Sequence, residues 1–201
     1  MGIVRNKSPY LFENGEFRKL SEKIMAKIQE KLKSYDREDF LGMDEDELTQ
    51  KLVKKYSLKP IQLNEKGINK SSEDAKFYVD PNPLIGILER KEVNGTKIII
   101  EIPFEGSAEV FHYRPNNLVP VVYPRGTIKD QMVRIEYLVF AADENELKKQ
   151  YDQDLKLLKE YITLINRDIE KFNRDLPNKI KQLIQQRKEK ILADKKMLEV
   201  L

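Results

Sequence analysis

The amino-acid sequence predicts an α+β protein: two N-terminal helices, a mostly antiparallel sheet and a long, kinked C-terminal helix with a coiled-coil-like seam. Two observations carry that expectation. Through the middle of the chain, from Leu84 to Phe140, apolar and polar residues alternate in the two-residue period of half-buried strands. From Asp143 onward the period changes, and apolar residues recur at steps of three and four. The expected division is therefore an α+β domain over 1–142 and a helical extension or oligomerisation helix over 143–201.

Taken in order, Phe17, Leu20, Ile24, Ile28, Leu32 and Tyr35 recur at helical spacing and predict an amphipathic helix from Glu16 to Tyr35. A second helix starts at Asp44. Its carboxylate can cap free amides while Glu47 reaches back, and Met43 can staple against Leu48. Leu48, Leu52, Val53 and Tyr56 form its apolar stripe, and Lys59-Pro60 ends it. Asn64 to Ala75, polar and containing Gly67, reads as a loop between short strands at Ile61–Leu63 and Phe77–Val79.

Asn94-Gly95 reads as the type I′ turn of a hairpin, because that dipeptide suits positive φ angles. The register then pairs Glu92 with Lys97 and gathers Ile85, Ile87, Val93, Ile98, Ile100, Ile102 and Phe104 on one face to be covered. Pro103, Pro115, Pro120 and Pro124 make the following stretch irregular, and Pro120 demotes LVPVVYP to an edge strand. A third strand, Gln131 to Phe140, turns Val133, Ile135, Tyr137 and Val139 to one side.

The last segment opens with Asp143 and Glu146 as a capping box. Tyr151, Leu155, Leu158, Ile162, Ile165, Ile169, Phe172 and Leu176 then form a heptad seam. Pro177 interrupts it, and the stripe resumes one residue out of phase at Ile180, Ile184, Ile191, Leu198 and Leu201. With no glycine or loop-like cluster nearby, one helix kinked at Pro177 is expected rather than an antiparallel pair. At about 1.5 Å per residue it approaches roughly 90 Å, longer than a domain of this size is wide, so part of it is expected to project or to meet a partner.

Composition narrows the function classes. The 201 residues carry 37 basic and 34 acidic side chains for a net charge of +3, which gives no global nucleic-acid signal. The absence of cysteine excludes thiol catalysis, disulfides and cysteine-ligated zinc, and fits a cytoplasmic protein. No apolar run reaches the length of a membrane span, and no signal-peptide core is present. No cofactor or metal site is predicted, since eight glycines are scattered singly and His and Cys make no cluster.

Several residues invite a chemical reading. His112, the only histidine, lies between Phe111 and Tyr113 and reads as a packing residue before a catalyst. With Tyr113 and Arg114 it forms a candidate binding segment, in which Arg114 is expected to be structural first. Asp80 followed by Glu89 and Lys91 matches the D…E-x-K pattern of magnesium-dependent nucleases. So short a motif arises by chance in a chain that is 35% charged. The surrounding strand–helix–strand order is also missing, because the long helix follows the third strand. Arg187, Lys188 and Lys190 lie on a basic helical stretch that could track phosphates, although such runs are usually solvated faces.

Phe104-Glu105-Gly106, Phe111 to Pro115, Asp168-Ile169, Phe172-Asn173, Leu176 and Arg187-Lys188 together carry a resemblance. From about Asp44 onward the chain resembles a sheet-plus-long-helix module of uncharacterised prokaryotic multidomain proteins, where it precedes a TIR or restriction-nuclease-type effector. The resemblance implies sensing, assembly or partner docking in antiphage defence, and it transfers no catalytic residue. The expected function is a non-enzymatic assembly or sensor module that meets a second copy or an effector through the C-terminal helix. The alternative is a nucleic-acid-binding protein or a nuclease acting through Asp80, Glu89 and Lys91.

Overall fold

Phe17, Leu20, Ile24, Ile28 and Leu32 are all buried along one face of α1 (Phe17–Lys33), as their spacing requires. The structure, a computed structural model, describes residues 3–119, 122–142 and 144–199. The readings that rest on Pro120, on the Asp143 cap, on Leu201 and on the side chain of Ile85 lie outside the described residues.

A short helix that periodicity does not reveal, α2 (Arg37–Gly42), follows α1. The Asp36 carboxylate caps it by accepting from the amides of Glu38 and Asp39. The Asp39 and Glu38 bonds hold that carboxyl below its ordinary range. Helix α3 (Glu45–Tyr56) begins where expected, with Asp44 accepting from the Glu47 amide at 2.7 Å.

The sheet contains β1 (Ile3–Asn6), β3 (Asn69–Val79), β4 (Lys91–Glu105), β5 (Thr127–Lys129) and β6 (Met132–Phe140), and the two-residue β2 (Gln62–Leu63) adds to the edge of β4. All pairings are antiparallel. Strand β4 is central, with β6 on one side and β3 on the other.

Asn94-Gly95 is not a turn, contrary to expectation. Strand β4 runs through it, placing Asn94 opposite Lys76 and Gly95 opposite Ala75. A Cβ on Gly95 would lie 2.7 Å from the Phe77 ring and 2.5 Å from the Val139 carbonyl oxygen. Glycine is needed here for close approach, not for a positive φ. The chain reverses instead over 80–90, with a 3-10 turn at Pro83–Ile85 and Gly86 in the left-handed region. The strand expected at Phe77–Val79 is the end of β3, whose first part falls in the expected loop because Asn69 to Asp74 are polar and exposed throughout.

Removing the turn flips parity, since side chains alternate along a continuous strand. Ile100, Ile102 and Phe104 still face the main core with Val133, Ile135 and Tyr137. Val93 moves to the opposite face, where it forms a separate cluster with Val79 and Ile87. Lys97 meets Glu73 at 2.9 Å and Glu136 at 3.6 Å, not Glu92. Arg134 continues this ladder, 2.8 Å from Glu136 and 3.6 Å from Glu101.

The hydrogen bond from Lys97 holds the Glu73 carboxyl below its ordinary range, and the same bond raises Lys97. A depressed carboxylate contributes stability above its unfolded titration range and loses it as pH falls through the folded one. Glu73→Gln is therefore expected to flatten the acid limb of stability between about pH 3 and 6, read from urea midpoints. Parallel acid limbs in the wild type and the variant would contradict the ladder.

Helix α4 (Glu144–Glu199) is continuous through Pro177 and spans roughly 84 Å. Near its start Asp154 accepts from the Tyr137 hydroxyl at 2.8 Å and from the Asn6 amide at 2.9 Å, which fixes the helix over the sheet. Burial, then the Asp154 charge, push the Tyr137 hydroxyl well above its ordinary range. The seam is covered as far as Ile191: Leu158, Ile162, Ile165, Ile169, Phe172, Leu176, Ile180, Ile184 and Ile191 are all buried, and Leu198 is exposed. Helices α1, α2 and α3 pack against α4 and supply that cover.

Two asparagines one heptad apart bind the strap between α3 and β2 to α4. Asn173 donates to the Leu58 carbonyl at 2.7 Å and accepts from its amide at 3.0 Å. Asn166 does the same to Ile61, at 2.8 Å in both directions. Asp168, on the same helix, accepts from the Asn116 amide at 2.7 Å. The polar residues of the Asp168–Asn173 motif thus hold irregular backbone against the helix.

Candidate functional site

The basic stretch of α4 meets the protein's own carboxylates. Lys181 lies 2.6 Å from Asp46, Lys195 2.6 Å from Glu38, and Arg37 pairs back to Asp194. Lys188 donates to the Met43 carbonyl at 3.0 Å and lies 3.2 Å from Glu45. The cause is local. The first turns of α2 and α3 are acidic, as suits the positive end of a helix dipole, and together they present a negative corner to α4. The Asp46 contact raises Lys181 above its ordinary range. Arg187 is half-buried, and its Nε has no hydrogen-bond partner among the described residues. Lys190 is exposed.

His112, Tyr113 and Arg114 separate into different settings. Arg114 exchanges backbone bonds with the entry to α1: its amide donates to the Gly15 carbonyl, and its carbonyl accepts from the Phe17 amide, both at 2.8 Å. Its guanidinium reaches Glu16 at 3.4 Å. Such contacts fix the start of α1. His112 is exposed and Tyr113 buried at the end of the 3-10 turn Ala108–His112, and both line a cleft of about 500 Å3. Lys23 and Lys27 of α1 form one wall, Lys55 to Leu58 at the end of α3 another. Lys23 donates to the Tyr113 hydroxyl at 2.8 Å, and Lys55 lies over the Tyr56 ring. Helical periodicity does not single out these lysines, because neither helix reveals what faces it.

Asp80, Glu89 and Lys91 do not share a strand. Asp80 follows β3 and lies 3.9 Å from Arg90. Glu89 precedes β4, which begins at Lys91, and both are exposed. Among the described residues no three His, Asp or Glu side chains converge as a metal site.

Among the described residues, Tyr78, Leu84 and Leu88 are exposed at the β3–β4 reversal, as are Val119 and Val122. At the end of α4, Leu192, Met197 and Leu198 are 48%, 64% and 70% exposed. No helix among the described residues is long and apolar enough to cross a membrane. No model of a protein family, no curated protein and no solved structure matches this chain.

Proposed function

We propose that the chain is a non-enzymatic assembly module that associates with a second copy of itself through the C-terminal end of α4. The observation that carries this reading is the continuation of the heptad stripe past its cover. Ile184 and Ile191 are fully buried, whereas Leu198, one heptad further, is 70% exposed. An apolar stripe at this spacing is what a partner helix packs into. Leaving it in water costs about 25 cal/mol per Å2 of apolar surface. The role agrees with the one implied by the resemblance to modules that precede prokaryotic effectors, in which association would bring effectors together.

Light scattering over a range of concentrations tests the reading. The wild type is expected to form a discrete oligomer, and the double variant Met197→Glu, Leu198→Glu to shift to the monomer while keeping its helical circular dichroism. A wild type that stays monomeric at every concentration would overturn the proposal, and capture of a different protein by this patch would replace the partner.

A further inference from the structure

We propose that the groove between α1 and α3 binds a single strand of nucleic acid through its phosphates, with Lys23, Lys27 and Lys55 as the central contacts. The inference does not rest on self-association through α4. Lys19, Lys23, Lys27 and Lys31 stand at every fourth position of α1 and so form one row on a helix face. Consecutive members rise about 6 Å along the axis, a repeat suited to a line of charges and not to a point anion. Lys51 and Lys55 form a matching row on α3. The cleft brings the two rows together, since Lys23 and Lys27 line it from one side and Lys55 from the other.

Like charges at this spacing repel, so a stable protein would be expected to place acids between them. Among the described residues none of these six lysines forms an ion pair, and Glu109 is the one acidic side chain lining the cleft. The basic stretch of α4 shows the contrast, because there Lys181, Lys188 and Lys195 each meet a carboxylate. The contacts the groove lysines do make orient their charge without neutralising it. Lys23 donates to a phenol, and Lys31 and Lys55 lie over the rings of Tyr35 and Tyr56. Cations on both walls suit one strand lying between them, as in other single-strand channels.

The test is fluorescence polarisation with a labelled oligothymidylate of ~20 nucleotides and a duplex of the same length, at several salt concentrations. Lys27→Glu, Lys55→Glu changes two exposed side chains, and Lys148→Glu, Lys156→Glu, also exposed, serves as an equally charged control near the start of α4. The groove variant is expected to lose at least about tenfold in affinity for the single strand, and the control less than about twofold. The slope of log affinity against log salt should fall by roughly 1.4, from two phosphate contacts at ~0.7 each. Lys27→Gln, Lys55→Gln, which removes charge without reversing it, must weaken binding in the same direction. Absence of binding by the wild type, equal loss in the control, or tighter binding of the duplex would each overturn the proposal.

Discussion

Phe111→Ala is expected to lower stability by about 3–5 kcal/mol, the range for a fully buried aromatic truncated to a methyl. Phe111 has no exposed surface. Its ring lies 4.9 Å from Phe104 of β4 and 5.4 Å from Phe12. Phe12 in turn packs 5.2 Å from Tyr161 of α4. The Phe111 ring therefore joins the sheet to the N-terminal segment, and through Phe12 to the long helix. Its carbonyl also accepts from the Phe12 amide at 2.6 Å, although Phe12 is held at a φ of 62° that aromatic residues rarely adopt. A cavity here removes support from a strained neighbour as well as apolar contact. Because Phe111 also belongs to the 3-10 turn that carries His112 and Tyr113 into the cleft, the variant should loosen that wall. Urea denaturation reads the effect, and a loss below about 1 kcal/mol would show that the three parts are not coupled through this ring.

Asn166→Ala and Asn173→Ala are each expected to cost about 1–3 kcal/mol, because each leaves a backbone amide and carbonyl without its partner. Leu58 and Ile61 are buried, so water cannot replace the lost bonds at no cost. The two sites lie one heptad apart, roughly 10 Å along the helix, and share no partner, so their effects should add in the double variant. The strap they hold supplies one wall of the cleft, which ties its stability to the geometry of Lys55 and Ser57. If either single variant changes stability by less than about 0.5 kcal/mol, the strap is held by side-chain burial alone.

What could be read from the sequence follows from how local its physical cause is. Helix α1, helix α3 and strand β6 announce themselves because their periodicity records one buried face, and that face forms as expected. The α4 seam was visible for the same reason. What covers it was not, because the cover depends on three other helices folding back along it. Asn94-Gly95 carries the chemistry of a turn, yet the Phe77 ring and the Val139 carbonyl require a glycine in an extended strand there. Local preference lost to a tertiary contact. Strand β3 shows only its end, Phe77–Val79, to a sequence reading, because its exposed first half has no apolar alternation to detect. The same logic governs the candidate sites. The carboxylates that meet Lys188 and Lys195 lie far from them in sequence, and only the packing of α2 and α3 brings Glu45 and Glu38 there. Lys23, Lys27 and Lys55 were equally visible as residues but come from helices far apart in sequence, so their convergence is a property of the fold.

The most direct test of assembly through the end of α4 uses the absence of cysteine in the chain. Leu198→Cys introduces a single thiol on the exposed stripe, and Glu160→Cys places one on an exposed position of the same helix as a control. Under mild oxidation a disulfide joins two chains only where their sulfur-bearing side chains meet closely. Self-association through the α4 end predicts that Leu198→Cys forms a disulfide-linked dimer in high yield while Glu160→Cys remains monomeric. Equal yields from the two positions, or no dimer from Leu198→Cys at concentrations where the wild type scatters as an oligomer, would contradict it.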